Sequence, residues 1–497
     1  MKLYSSNTGE YNFVMAYPAI EEFALSSLGY LWLYKIADTK VGINAQKIST
    51  DNLDINPKTV NSIAFSMSFD FDYLGALEIL DKLKIPFFST ERDDSYPLIF
   101  AGGPVLTTNP KPYEAFFDFM IIGDGEEVFD KVLDILKLKL SKKDSLNKLS
   151  ELDGVYVSGE KTAKSTVSLN NVIYTPIISE KSYFKNTFII EVARGCMNRC
   201  AFCTASYTNL PFRHYDYEKI IEAIELGLKH TNKIALLGAQ ISAHPRFDDI
   251  MRYIKNKIEN GVEIELGISS LRTDSVTPQM VQTLVAGGQK HSTIAIEAAS
   301  ERLRKFINKN LKEEQILKAV KISRENGLKG LKIYSMIGIP TETDEDIKEF
   351  LNLAQKIKQE NKGFNIEFSF STFVPKPQTP LQWSKREDTK TLEKKQKFLE
   401  KELSKLGISS KFSSAKWDYW QTVLSRSDKE ITPLLVEVYK NGGKIGAYKQ
   451  AVKTLGLDIS KSVNGFDFEE ELPWDCIENY PPKEQLINEY KRLNKWG

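Results

Sequence analysis

Cysteine and histidine are scarce in this chain, with four of each among 497 residues. Four cysteines are too few for a disulfide framework, and three of them, Cys196, Cys200 and Cys203, fall within eight positions. No cysteine precedes Cys196 and no histidine precedes His214. Excess charge is missing too. Lys plus Arg number 67 against 66 Asp plus Glu, which gives no bulk positive field and counts against a nucleic-acid partner. No run approaches the ~18 apolar residues of a membrane span. The start, MKLYSSNTGEYNF, lacks the basic-then-apolar profile of a secretory signal, so the expected location is cytoplasmic. Internal repeats and low-complexity tracts are also absent.

What is present is the composition of a globular protein, 41% apolar and 27% charged, in a chain long enough for several cores. Residues 1–137 alternate short apolar runs with helical patterns, the sign of a doubly wound α/β domain. Strands are expected at Phe13–Tyr17, Ser62–Phe69, Pro97–Ala101 and Phe117–Ile122, with helices over Ile20–Ile36 and Tyr73–Leu83. Glycine turns follow at Gly102-Gly103-Pro104 and Gly123-Asp124-Gly125, after which Glu126 opens another helix. Residues 138–185, rich in Lys, Ser and Asn, read as a connecting hairpin segment with little helical periodicity and β-like pieces at Val155–Val157 and Val172–Tyr174. From 186 to 385 the alternation resumes, with strands at Thr187–Val192, Lys233–Leu237, Glu263–Ser269, Ser292–Glu297, Leu331–Ile337 and Ile366–Phe373. Six such units are too few for a closed eight-fold barrel and fit an open, partial one with its site at the carboxyl ends of the strands. Residues 386–497 read as a helical C-terminal domain.

Cys196-x-x-x-Cys200-x-x-Cys203 lies just past the first barrel strand, in the loop where a partial barrel places chemistry. Thiolates are the soft ligands of iron–sulfur clusters and zinc. A closed structural site takes four protein ligands, whereas a catalytic one keeps a position open. Three cysteines on one loop can hold three corners of a cubane and leave the fourth iron free. A second reading is a structural zinc site completed by His214.

The string VARGCMNRCAFC resembles the radical S-adenosylmethionine (SAM) signature. The stretches IAIEAASERLRKFINK, LKIYSMIGIPTETDED and FVPKPQTPLQW are similar to barrel blocks of one branch of that superfamily, and LSRSDKE and LPWDC to its C-terminal blocks. Residues 10–135 resemble the cobalamin-binding-like domain that precedes the barrel in that branch. The resemblance implies a [4Fe–4S] cluster on Cys196, Cys200 and Cys203 whose open iron chelates SAM. Reductive cleavage then yields methionine and a 5′-deoxyadenosyl radical that modifies a substrate, by methylation or rearrangement. A one-electron donor such as flavodoxin or ferredoxin is implied as partner. A methylthiotransferase shares the barrel but needs cysteines in the N-terminal domain, and this chain has none there.

SAM offers an amine, a carboxylate, a ribose diol and an adenine. Glu297, ending the fourth barrel strand, is the candidate for the amine or ribose, and Arg272, after Ser269 at the third strand, and Lys309 are candidates for the carboxylate. Surface ion pairs or a helix N-terminus would account for the same charges. Gly338 would let backbone approach adenine, and Phe202 suits a ring beside that base. Radical SAM proteins often carry Gly-Gly-Glu after the second strand; here Gly238-Ala239-Gln240 stands there, with Gln240 as the possible acceptor.

Cobalamin-binding members often use Asp-x-His-x-x-Gly, whose histidine takes the lower cobalt position. That is excluded here, and only cobalamin without a protein ligand to cobalt stays open, held by the two glycine turns. Cys476 reads as a buried small hydrophobe or a hydrogen donor to the site, and Trp417, Tyr419 and Trp420 as core or as an apolar substrate pocket. Charge neutrality suits an apolar or mixed small-molecule substrate. A non-catalytic, metal-stabilised scaffold or RNA-associated protein is the competing class, distinguished by zinc in place of iron.

Overall fold

The computed structural model describes residues 1–478 and 480–496. Six strands form the N-terminal sheet in the order Ile43–Ser49, Tyr11–Tyr17, Ser62–Ser66, Leu98–Gly102, Phe119–Ile121 and Val155–Tyr156. All neighbours run parallel except the last pair. Tyr11–Tyr17 sits inside the sheet and is buried on both faces, which is why YNFVMAY reads as a continuous apolar run. The edge strand Ile43–Ser49 escaped the sequence reading because INAQKIS mixes polar residues among its buried Ile43, Ala45 and Ile48.

The helix expected over Ile20–Ile36 is broken into Glu21–Ala24 and Leu28–Thr39. Ser26 sits at the break, where its hydroxyl bonds Glu22 O and Ser182 Oγ. Side-chain hydrogen bonds of this kind compete with helix continuation. The segment expected to lack helix between 138 and 185 contains Lys142–Leu149, started by Ser141, whose hydroxyl accepts from the Asp144 amide. Val155–Tyr156 pairs antiparallel with the N-terminal sheet, while Tyr174 makes only an isolated bridge to Ile190.

One face of this sheet packs on Tyr30, Leu31, Phe129, Val132 and Leu133 from the helices Leu28–Thr39 and Glu126–Leu136. The other face packs on Tyr73–Lys82 and on C-terminal helices, through Trp420, Leu424, Leu434, Leu435 and Tyr448. The two ends of the chain therefore share one core, and the Tyr73 and Tyr448 hydroxyls hydrogen-bond inside it at 2.7 Å.

The barrel strands Thr187–Glu191, Lys233–Leu237 and Glu265–Ile268 form one parallel group. Leu271–Arg272, His291–Glu297, Gly330–Ile337 and Asn365–Thr372 continue as a second. Helix Thr389–Lys405 buries Leu392, Leu399 and Leu403 against the same core and leads to Ser409–Phe412, a short parallel edge strand beyond the six read from the sequence. Helix-facing strand residues such as Phe188, Ile234, Ile294 and Ile333 are fully buried. Their neighbours Ala235, Thr293 and Ser369 are half-buried and Tyr334 is exposed, which marks the open lumen.

Candidate functional site

The cysteine loop leaves the first barrel strand and is pinched at its base, where Ala193–Arg194 pairs antiparallel with Arg213–His214. Gly195 starts it at φ +79°, and a Cβ there would lie 2.3 Å from Asn209 O, so only glycine fits. The loop is docked at several points. Ala201 N donates to Ile307 O at 2.9 Å, Leu381 N to Ala201 O at 3.2 Å, and Asn308 Nδ2 to Arg199 O at 2.8 Å. A turn closed by Cys203 N and Cys200 O at 3.0 Å sets the last two cysteines side by side.

Cys196 and Cys200 are buried and Cys203 half-buried. Burial pushes the Cys200 thiol up to about 12, while the Lys309 cation beside it favours the thiolate. Cys203 is raised by burial as well, with the Cys196 charge adding to the rise. The raised Cys200 and Cys203 thiols favour their protons until a cation replaces them. Among the described residues no three His, Cys, Asp or Glu side chains converge as for a single metal ion. His214 packs its ring on His244 at 4.8 Å, so the zinc site with His214 has no geometry behind it.

Around the cysteines the structure gathers most of the residues singled out from the sequence. Gln240 Oε1 lies 3.4 Å from Cys196 Sγ and also meets the Asn198 side chain. Lys309, 6% exposed, pairs with Glu297 Oε1 at 3.0 Å. Burial works against the Lys309 charge, yet Glu297 and Cys200 outweigh it and its pKa is raised. Arg272 donates to Lys309 O at 3.0 Å and pairs with Asp274 at 2.7 Å. Glu297 sits at a register shift with φ +65°, a strained position for a side chain with a Cβ. Ser269 Oγ donates to Gly238 O at 3.2 Å, joining the second and third strand ends. Phe202 packs against a cluster that includes Ala201, Ala298, Leu303, Phe306 and Met336.

Gly338 faces elsewhere. Its amide is bonded to Glu342 Oε1 at 2.8 Å, and a Cβ would meet Leu392 Cδ2 at 2.6 Å. Cys476 lies beside the N-terminal sheet near Tyr156, Lys111 and Glu114, where burial raises it to about 11. Trp420 is buried and stacks on Tyr448 at 4.8 Å, and Trp417, half-buried, meets Phe71 edge-on at 5.2 Å, so both pack on the core.

Two groups at the site were not read from the sequence. Asn308, at φ +54°, anchors the loop. Its place between Ile307 and Lys309 in the INKN run was the available signal, since asparagine tolerates left-handed backbone. Arg194 joins Glu191 at 2.8 Å to Asp124 at 3.0 Å, in the second glycine turn of the N-terminal domain, and to Glu126 at 2.6 Å, the first residue of the helix that follows it. Between these bodies runs a cleft of about 310 Å³ lined by Gly29, Gly103, Gly123, Arg194, Asn209 and Leu237, among others. A cavity of about 260 Å³ shares Gly29, Gly103 and Gly123 and runs under the carboxyl ends of the N-terminal strands past Met15, Phe100 and Phe129.

Residues 190–354 match the family model described as Radical SAM superfamily, and residues 40–158 match Radical SAM proteins, N-terminal. An uncharacterized protein of Methanocaldococcus jannaschii is 31% identical over 405 residues, covering 81% of this chain and 85% of that one. The cobalamin-dependent S-adenosylmethionine radical enzyme OxsB, solved with aqua-cobalamin and S-adenosylmethionine bound, superposes with a TM-score of 0.56 at 13% identity, covering 97% of this chain and 79% of that one. The radical S-adenosylmethionine methyltransferase TsrM from Kitasatospora setae, solved with cobalamin and a [4Fe–4S] cluster, gives 0.54 at 13% identity, covering 73% and 75%. The fold shared with these structures, the family models and the cysteine loop converge: this chain belongs to the radical SAM superfamily.

Proposed function

We propose that Cys196, Cys200 and Cys203 hold a [4Fe–4S] cluster at which the enzyme reductively cleaves SAM. The observation that carries this is one docked loop bearing three free cysteines, with the buried Lys309–Glu297 pair and Arg272 beside it. The donor set fits the group, because three thiols satisfy three irons and leave one for SAM. When bound, the cluster supplies the electron that breaks SAM into methionine and a 5′-deoxyadenosyl radical. The chain's own residues do the holding. Lys309 and Arg272 offer charge-assisted donors to a carboxylate, Glu297 and Gln240 accept from an amine or ribose, and Phe202 provides an apolar surface beside the adenine. The electron donor is a flavodoxin- or ferredoxin-type protein, the setting is the cytoplasm, and the substrate is an apolar or mixed small molecule. Among the described residues no helix is long and apolar enough to cross a membrane.

Anaerobic reconstitution should load about four irons per chain and give dithionite-dependent release of 5′-deoxyadenosine. Cys196→Ala should lose both signals; retention of both would remove Cys196 from the ligand set.

A second reading adds cobalamin, favoured by the glycine-lined cavity that opens from the N-terminal strand ends toward the barrel. OxsB and TsrM, which share the fold, are cobalamin proteins by their descriptions. With no histidine or cysteine in the N-terminal domain, cobalt would have no such ligand there, and methyl transfer becomes the reaction class.

A further inference from the structure

Strands of a parallel sheet are ordinarily covered on both faces, so an aromatic side chain exposed at the centre of one is out of place. Tyr334 is that residue. It belongs to Gly330–Ile337, the middle strand of five, and is 40% exposed, whereas Ile333 and Ser335 on either side of it are buried. Among the described residues its hydroxyl has no hydrogen-bond partner, and its ring meets no other ring and one cation, Lys332 Nζ, 5.2 Å from the centroid.

Register fixes which groups share its face. Arg272, Ala295, Tyr334 and Ser369 are paired in line on four successive strands, so their side chains leave the sheet on the same side. Neighbouring strands lie about 5 Å apart, which sets the Tyr334 backbone about 10 Å from that of Arg272, with only the Ala295 methyl between them. Met336, two residues along the strand, points the same way and packs in the cluster with Ala201 and Phe202 of the cysteine loop. Two residues of strand span about 7 Å. Tyr334 thus stands one such step below the residue that touches the cysteine loop.

The surfaces around the ring are of two kinds. Ser369 and, one step up, Ser371 bring hydroxyls without a partner among the described residues, the first half-buried and the second exposed. On the opposite side Ala295 leaves room and adds no polar side-chain atom. An alkyl chain laid here would strip water from the hydroxyls and give them nothing in return. A flat ring with polar atoms on its edge answers both surfaces, stacking on the phenol and bonding at its rim.

We infer that Tyr334 sets substrate specificity: the substrate carries a planar, unsaturated ring that stacks on the phenol, with polar edge atoms directed at Ser369 and Ser371. This names the substrate class for the SAM-cleaving site and rests on that reading of the cysteine loop.

Reconstituted full-length protein, with S-adenosylhomocysteine added to fill the SAM site, is titrated by ligand-observed NMR. The probes are benzamide and phenol and their saturated counterparts, cyclohexanecarboxamide and cyclohexanol. Each planar probe should bind saturably and about fivefold or more tighter than its counterpart. Tyr334→Leu should erase that preference and Tyr334→Phe should keep it. Should Tyr334→Leu fold poorly, Ser369→Ala with Ser371→Ala provides the check and should weaken benzamide about fivefold. Absence of saturable binding, equal binding of the saturated probes, a preference that survives Tyr334→Leu, or benzamide binding unmoved by the double serine variant would each overturn the inference. Dithionite-dependent release of 5′-deoxyadenosine by the parent chain is measured alongside. Its absence would strike the reading of the cysteine loop, whereas a ring preference that survives Tyr334→Leu strikes only the role of Tyr334.

Discussion

Lys309 and Glu297 come from different ends of one turn-rich stretch, yet their side chains meet at 3.0 Å beside Cys200 with little water between them. Removing one partner leaves the other charged and nearly dry. Lys309→Met should therefore destabilise the apo chain by about 3 kcal/mol, read as a shift in the urea unfolding midpoint at unchanged slope. SAM affinity should fall with it, because the proposed donor to its carboxylate goes too. An unchanged midpoint would show that the pair contributes nothing to the fold. Both residues were legible in the sequence as charges at strand and loop ends. Their pairing was not, since it depends on the left-handed backbone at Glu297, which no residue type announces. Gly338 shows the converse, a glycine readable as open to a ligand whose close approach is to Leu392.

At the scale of elements, the strands that pack on both faces were readable because they are continuous apolar runs, and the helix expected over Tyr73–Leu83 forms as Tyr73–Lys82. Edge strands were not. Ile43–Ser49 and Ser409–Phe412 are held by pairing on one side, so their outward residues can be polar and the period-two signal fades. The cavity at the N-terminal strand ends depends on element placement as well, and Gly29 provides a clean probe of it. It lies in the first turn of helix Leu28–Thr39, lines both the cleft and the cavity, and a Cβ there would meet nothing within 4 Å. Gly29→Phe should thus project into the empty volume without displacing backbone. If cobalamin binds here, the substitution should weaken it about tenfold or more, measured by the visible spectrum after gel filtration, while iron content and 5′-deoxyadenosine release persist. Undiminished cobalamin retention would place the cofactor elsewhere.

Across the whole molecule, the N-terminal sheet and the barrel are joined by charge. Asp124 accepts from Arg194 at 3.0 Å and from Arg213 at 2.6 Å, and Arg194 lies two residues before Cys196. The orientation of the cysteine loop is thus tied to the glycine turn that borders the cleft. Burial opposes the Asp124 charge, but the two guanidinium groups outweigh it, and its pKa lies below the usual 3.8. A carboxyl depressed in the folded state contributes stability that is present above its unfolded value and is lost as pH falls through the folded one. Asp124→Asn should accordingly cost about 2 kcal/mol at neutral pH. The difference from the parent chain should shrink below pH 3.8 and vanish once Asp124 is protonated in both states. Urea unfolding at pH 7 and in acid measures both arms. A gap that stays constant with pH would mean that the asparagine acts through packing and that charge does not hold the two bodies together.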